Sequence, residues 1–257
     1  MGSHIIKSVI KSVLPAGARE NAKKKLIEVI LGHDFPGFSF AAGGEDTILN
    51  YLFGFKNTGF FVDVGAFHPV KFSNTYLFYL KGWRGINIDA SPGSMNAFRQ
   101  LRPEDINLEL AISDKNEELT YYVMREGNST MNTLSMDFVH RLNMEQAIAK
   151  EIKVQPRALS QVFDEHLPQA REIDFLTIDV EGLELAVLSS NDWRKYRPKV
   201  IMLEDFDSLS NRLFEAATVK TLAAAGYRPI LKTTTELVFL EQGYQLSPTG
   251  QIAPQEA

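Results

Sequence analysis

The chain has 257 residues, of which 44% are hydrophobic and 23% charged, with a net charge of −5 and no cysteine. This length and composition are typical of one globular domain with appendages, and the absence of cysteine excludes disulfides, thiolate metal ligands and a cysteine nucleophile. The negative net charge argues against a nucleic-acid-binding protein, and no apolar run reaches the roughly 18 residues of a transmembrane helix.

The first 57 residues are predicted to form a helical N-terminal extension that caps the main domain. Residues 1–4 (Met-Gly-Ser-His) resemble an expression tag, and no secretory signal is visible, so we expect a cytoplasmic protein. Residues 5–31 combine lysines with Ile, Val and Leu, which indicates two short helices with a basic face. That face suits either solvent or peripheral contact with a membrane or a protein partner. Whether the chain forms a homo-oligomer stays open.

Alternating helical and apolar patterns predict the elements of the chain up to residue 240. Helices are predicted over residues 45–53, 73–81, 92–101, 159–166, 183–189 and 213–225. Strands are predicted over residues 60–64, 85–89, 106–112, 118–124, 150–154, 173–179, 199–203, 227–231 and 236–240. The β-α-β-α-β order predicts an α/β domain over residues 58–245 with a parallel sheet. The last two strands are predicted to form an antiparallel hairpin, and residues 246–257 a flexible tail.

Acidic residues lie at the carboxyl ends of several predicted strands or directly after them. They are Asp63, Asp89, Asp114, Asp179, Glu204 and Asp205. Any one of them, taken alone, is explained equally well as a strand terminator or a helix cap. Because the carboxyl ends of parallel strands meet at one edge, where α/β proteins bind ligands, we expect the group to line a binding site.

The spacing of these acids favours a nucleoside ligand. Asp89 lies 24 residues after Gly65, at the end of the second strand, where a carboxylate can accept hydrogen bonds from both ribose hydroxyls. Asp114, after the third strand, is predicted to meet an adenine edge. The first turn, residues 63–68, lacks the G-x-G-x-x-G pattern that holds a pyrophosphate. A cationic nucleoside without phosphate, S-adenosylmethionine, therefore fits better than a dinucleotide.

Several motifs resemble the FkbM family of methyltransferases over about residues 57–242. They are FVDVGA at 61–66, SNT at 73–75, GWRGINID at 82–89, AISD at 111–114, IDVEG at 178–182 with Glu184, and Arg197-Pro198 followed by Glu204. The resemblance implies a Rossmann-like, seven-stranded, mostly parallel sheet with the last strand antiparallel. It also implies S-adenosylmethionine as the methyl donor. The expected acceptor is a hydroxyl on a sugar, a glycan or a polyketide-type small molecule.

The residues expected to bind the donor lie in or after the predicted strands 60–64, 85–89, 106–112 and 173–179. They are Asp63, Gly65, Ala66, Phe67, Ser73, Asn74, Asp89, Ala90, Ser113, Asp114 and Asp179. Ser73 and Asn74 either bond the donor carboxylate or cap the helix that follows. The polar segment 128–132 is a candidate acceptor lid, or else an ordinary connection.

Two mechanisms for removing the acceptor proton stay open. In one, Asp179, Glu204 and Asp205 hold a divalent cation such as Mg²⁺, which acidifies the hydroxyl. In the other, a side chain acts as general base, and the candidates are His68, Asp179 and Glu181. His68 is equally well explained as the residue that begins the turn before Pro69.

Two other classes of function are alternatives to methyl transfer. One is an NAD(P)-dependent oxidoreductase on a similar sheet, which the first turn disfavours because it lacks the glycine-rich pattern. The other is a non-catalytic nucleoside-binding protein that recruits a partner through the basic N-terminal helices. Acids at so many strand ends disfavour that alternative.

Overall fold

A computed structural model describes residues 39–126, 129–169, 171–204 and 216–255 of the chain. The predicted basic helices within residues 5–31 lie outside the described residues. So do Asp205 and the first part of the predicted helix 213–225. Residues Ser39–Ala257 belong to one compact unit.

Seven of the eleven strands in the described residues form the main sheet. The strands are β1 (Phe60–Val64), β2 (Arg84–Asp89), β3 (Ile106–Glu109), β4 (Leu119–Met124), β5 (Ile148–Val154), β6 (Phe175–Ile178), β7 (Val200–Glu204), β8 (Tyr227–Lys232), β9 (Glu236–Glu241), β10 (Tyr244–Leu246) and β11 (Ile252–Pro254). The sheet order is β3-β2-β1-β6-β7-β9-β8. Its pairs from β3 to β7 are parallel, and β9 is antiparallel to both neighbours. The predicted Rossmann-like sheet with its last strand antiparallel is confirmed.

Short helices connect the strands. They are α1 (Glu45–Leu52), α2 (Tyr76–Lys81), α3 (Met95–Leu101), α4 (Met136–Arg141), α5 (Leu159–His166), α6 (Glu184–Ser189) and α7 (Ala217–Ala224), with 3₁₀ turns at Ser129–Met131 and Glu145–Ala147. In the part of the chain that the structure describes, no helix is long and apolar enough to cross a membrane.

The central strands are buried on both faces, so their sequences are nearly continuous apolar runs. In β1, Val62 packs into a core cluster on one face and Phe61 into a second cluster on the other. This division follows from the alternation of side chains along a strand. The second cluster also contains Trp83 and Phe175.

The segment before β1 is part of the domain, which differs from the predicted boundary at residue 57. Leu49 and Leu52 of α1 are buried in the same cluster as Phe61 and Trp83. The amphipathic spacing of α1 indicated a helix, but only the tertiary contacts reveal that its apolar side completes the core.

The C-terminal segment also differs from the prediction. Strands β10 and β11 pair in an antiparallel hairpin, with Tyr244 opposite Pro254, where a flexible tail was predicted from residue 246. Tyr244 and Ile252 pack against the second core cluster, which fixes this hairpin although its strands are only three residues long.

Candidate active site

The carboxyl ends of the parallel strands open into a cavity of about 320 Å³, hereafter the edge cavity. Strand ends, the turn after β1, strand β4 and the segment 129–134 supply its walls. The larger and polar side chains that line it include Phe67, Phe72, Asp89, Tyr121, Asn132, Asp179, Glu181 and Glu204. The predicted binding edge therefore coincides with a cavity in the structure.

Gly65 allows the turn after β1 to lie directly against the end of β6. Its φ is +90°, and a Cβ at this position would overlap the backbone carbonyl oxygen of Asp179. The amide of Asp179 donates to the carbonyl of Val64 (2.9 Å), so the two strand ends are fixed to each other. Glycine is required here by a close backbone approach, and Gly65 itself lines the cavity.

Asp89 presents a firmly held carboxyl group at the end of β2. Its Oδ2 accepts a hydrogen bond from the Phe67 amide (2.8 Å), and its Oδ1 accepts one from the Ser91 amide (2.7 Å). Burial raises the pKa of Asp89, and these hydrogen bonds oppose that shift. The side chain lines the edge cavity together with the neighbouring Ala90, as the sequence predicts.

Asp63, Ser73 and Asn74 lie outside the cavity lining. Thr75 Oγ1 donates to Asp63 Oδ2 (2.7 Å), and Arg102 donates to the same threonine oxygen (3.0 Å). Ser73 Oγ accepts from the Tyr76 amide (3.1 Å), which is the capping alternative for this residue. Asn74 Nδ2 donates to Thr177 Oγ1 (3.2 Å) on β6.

The segment after β3 contributes apolar residues to the cavity lining, and its acid, Asp114, does not take part. Ala111 and Ile112 line the cavity, whereas Ser113 and Asp114 lie outside its lining. Ser113 is buried and its amide donates to the Arg157 carbonyl (3.1 Å). Asp114 is exposed.

Three carboxylates meet at the sheet edge, and one of them was not predicted from the sequence. Asp179, Glu204 and Glu236 each place one oxygen within 4.8 Å of the others. Glu236 begins the antiparallel strand β9, so it lies where the parallel strands end. The predicted hairpin could have indicated the position of Glu236, because an antiparallel strand starts at the edge where its parallel neighbours end.

The acids of this edge share a strongly perturbed environment. Burial is the main cause that raises the pKa values of Asp179, Glu181, Glu204 and Glu236, and the neighbouring carboxylates add to it. A higher pKa makes each carboxylate a stronger proton acceptor once it is ionised. Clusters of this kind are typical of functional sites.

The candidate bases differ in how they face the cavity. Glu181 lines it, is only 7% exposed, and its Oε2 is buried without a hydrogen-bond partner. Its backbone is left-handed (φ +55°), and its carbonyl accepts a hydrogen bond from Thr133 Oγ1 (2.7 Å). His68 lies outside the lining, and its Nδ1 accepts from the amides of Val70 and Lys71 (both 3.0 Å). Burial and the nearby Lys71 lower the pKa of His68.

Other cavity residues were missed by sequence reasoning. Tyr121 of β4 shares a hydrogen bond with Ser91 (2.8 Å), whose hydroxyl also accepts from Asn132 (3.2 Å). Asn132 belongs to the predicted lid 128–132, of which residues 129–132 line the cavity and residue 128 lies outside the described residues. Phe72 stacks on Phe67, with ring centroids 6.4 Å apart. Nothing local in the sequence marked Tyr121 or Phe72.

Comparison with known proteins yields one family match. A model described as the methyltransferase FkbM domain matches residues 63–229. No curated protein matches the chain.

Several solved structures are similar in fold. Methyltransferase FkbM from Methylobacillus flagellatus KT is 12% identical, with a TM-score of 0.41 over 72% of this chain and 44% of that one, which is less than half of its length. The METTL16 MTase domain is 13% identical, with a TM-score of 0.40 over 77% of this chain and 66% of that one. An O-methyltransferase from Bacillus cereus in complex with SAH is 10% identical, with a TM-score of 0.39 over 93% of this chain and 97% of that one.

Proposed function

Because the chain belongs to the FkbM methyltransferase family, we propose that it transfers the methyl group of S-adenosylmethionine to a hydroxyl of a sugar or polyketide-type small molecule. The observation that carries this proposal is the edge cavity, in which Asp89 and the acids after β6 face one space.

The residues present fit the donor. The Asp89 carboxylate is fixed by two backbone amides and keeps lone pairs for ribose hydroxyls. Ala111 and Ile112 offer an apolar wall for a flat ring, and Asp179 supplies negative charge for a sulfonium or ammonium group. The cavity lies within the usual size range of ligand pockets.

When bound, the donor supplies an electrophilic methyl group, and the chain has to align an acceptor with it and take up a proton. Alignment alone can contribute several kcal/mol. The buried Glu181 Oε2, which has no hydrogen-bond partner, supports this residue as the acceptor of the hydroxyl proton. Asp179 is the second candidate. His68 is the weakest one, since its Nδ1 already accepts two backbone hydrogen bonds.

The acceptor side of the cavity supports a carbohydrate-like molecule. Phe67 and Phe72 form an aromatic wall, and Phe72 is 59% exposed. Asn132 and Thr130 add hydrogen-bonding groups on the lid segment. An aromatic face combined with amide and hydroxyl groups suits a molecule with an apolar ring face and several hydroxyls.

Donor binding is tested with Asp89→Asn and S-adenosylhomocysteine. The amide loses the charge and one acceptor site, so we expect the dissociation constant to rise about 10–100-fold in calorimetry, as for hydrogen bonds to a charged group. The matched control is Asp114→Asn, an acid after the next strand that lies outside the lining, with a change of less than threefold expected. Tight binding of NAD(H) without binding of S-adenosylhomocysteine would instead support the oxidoreductase.

The acceptor class is tested with methyl-labelled S-adenosylmethionine and a panel of sugars, polyketide-type alcohols, amines and carboxylic acids. We expect label in a base-stable ether of a hydroxyl compound, because the cavity offers a carboxylate to take up the hydroxyl proton. Label found only on nitrogen, carbon or an ester would contradict O-methylation. Donor binding without any transfer across a broad panel would favour the non-catalytic nucleoside-binding protein.

A further inference from the structure

We infer that Asp179, Glu204 and Glu236 form a binding site for a hard divalent cation, Mg²⁺ or Mn²⁺, at the wall of the edge cavity. The use of this ion in the reaction rests on the proposed function, whereas the binding itself does not. The site differs from the predicted Asp179, Glu204 and Asp205 set in its third ligand, and Asp205 lies outside the described residues.

Strand register brings the three carboxylates into one row. Ile178 of β6 pairs with Leu203 of β7, so Asp179 follows at the level of Glu204. Glu204 in turn is paired directly with Glu236 across the antiparallel β7–β9 ladder. Their nearest oxygens lie within 4.8 Å of one another. Two oxygens on a common cation can be at most about 4–5 Å apart, since each metal–oxygen bond is about 2.0–2.6 Å.

A second observation points to a ligand at this row. Glu236 is only 6% exposed, and its Oε2 is buried without a hydrogen-bond partner. Glu204 Oε2 is likewise buried without a partner. A buried carboxylate oxygen without a hydrogen-bond partner destabilises the fold, because it has lost its hydrogen bonds to water and has formed none with the protein. A cation between the three side chains would satisfy both oxygens.

The local charge balance favours a cation as well. Glu204 and Glu236 are directly opposite each other, and like charges in that position destabilise a sheet. The charged groups that act most strongly on Glu236 are again carboxylates, those of Asp179, Glu45, Glu184 and Glu181. Two positive charges on one ion would offset most of this repulsion.

The ligand types select the ion. All three ligands are carboxylate oxygens, which suit Mg²⁺, Mn²⁺ or Ca²⁺ better than softer metals. Asp179 and Glu204 also line the edge cavity, so the ion's open side would face the acceptor. When bound there, the ion supplies Lewis-acid polarisation of a hydroxyl oxygen.

The test measures Mn²⁺ and Mg²⁺ binding to EDTA-treated full chain, by calorimetry and by the electron paramagnetic resonance of Mn²⁺. Glu236→Gln preserves the shape of the side chain but removes its charge, and we expect Mn²⁺ affinity to fall at least tenfold. We also expect the metal-free variant to melt above the wild type, since the opposed charges are gone. Glu241→Gln is the matched control: the same substitution at the other end of β9, on a residue paired with Arg197. Its Mn²⁺ affinity should equal that of the wild type.

Each result decides the inference. Wild-type binding that Glu236→Gln weakens and Glu241→Gln leaves intact supports it. It is overturned if the wild type binds neither ion, with or without S-adenosylhomocysteine, or if Glu236→Gln binds Mn²⁺ as tightly as the wild type. Glu204→Gln serves as second variant should Glu236→Gln fail to fold. A chain that binds Mn²⁺ but not S-adenosylhomocysteine would refute the proposed methyl transfer and keep the cation site.

Discussion

Gly65→Ala is expected to lower the free energy of unfolding by more than about 4 kcal/mol. Losses of this size come from a few causes, among them backbone strain and a steric clash in the core. The new methyl group would overlap the carbonyl oxygen of Asp179, which is a backbone atom and cannot rotate away. The only relief is to separate the turn after β1 from the end of β6. That separation would break the hydrogen bond from the Asp179 amide to the Val64 carbonyl.

Gly93→Ala is the matched control for this prediction. Gly93 also has a positive φ (+79°), but the atom nearest to an added Cβ is the Asn96 side-chain nitrogen at 3.5 Å. We therefore expect only the left-handed backbone penalty, about 1–2 kcal/mol. Urea or thermal unfolding of both variants measures the difference. Equal losses at the two positions would show that the close approach to Asp179 is not the cause.

The Gly65 comparison shows what the first-strand motif specifies. Read from the sequence, Asp63 and Gly65 were both assigned to the donor. In the structure Gly65 provides close packing of two strand ends, and Asp63 is held by Thr75 and lies outside the cavity lining. Their contribution to the site is to bring Asp89 and Asp179 to the same space.

Much of the fold could be predicted because buried strands and amphipathic helices leave periodic patterns. The helix predicted over residues 159–166 has the observed bounds Leu159–His166. The predicted helix 73–81 begins only at Tyr76, since Ser73 uses its hydroxyl to bond the first helical turn from outside. Tertiary contacts, such as those of Leu49 in the core, have no local signal.

The site could be predicted only where chain order matches spatial order. Asp89 ends one parallel strand and Asp179 directly follows another, so the edge they share can be read along the sequence. Glu236 escapes this rule because it begins its strand, and the strand runs in the opposite direction. His68 and Asp114 also follow strand ends, but neither side chain lines the cavity. His68 is held by a hydrogen bond from the Val70 amide, and Asp114 is exposed. Neither outcome can be read from the order of strands in the sequence.

Glu181→Gln is expected to lower kcat about 10²–10⁴-fold, the usual contribution of a positioned general base. The amide has the same shape but cannot take a proton from the acceptor hydroxyl. The backbone at this residue is left-handed and anchored through Thr133, so the side chain of the variant should keep its place. The measurement is turnover with the acceptor found in the panel, together with the dissociation constant of S-adenosylhomocysteine, which we expect to change less than threefold.

Glu184→Gln separates the loss of a base from a general disturbance of this loop. Glu184 Oε1 accepts a hydrogen bond from the Gly182 amide (3.0 Å), and a glutamine carbonyl can accept the same bond. We therefore expect kcat within a few-fold of the wild type. If Glu181→Gln weakens S-adenosylhomocysteine binding instead of kcat, its carboxylate pairs with the donor's ammonium group. If it changes neither, the proton goes to Asp179 or His68, and the orphaned oxygen of Glu181 has another purpose.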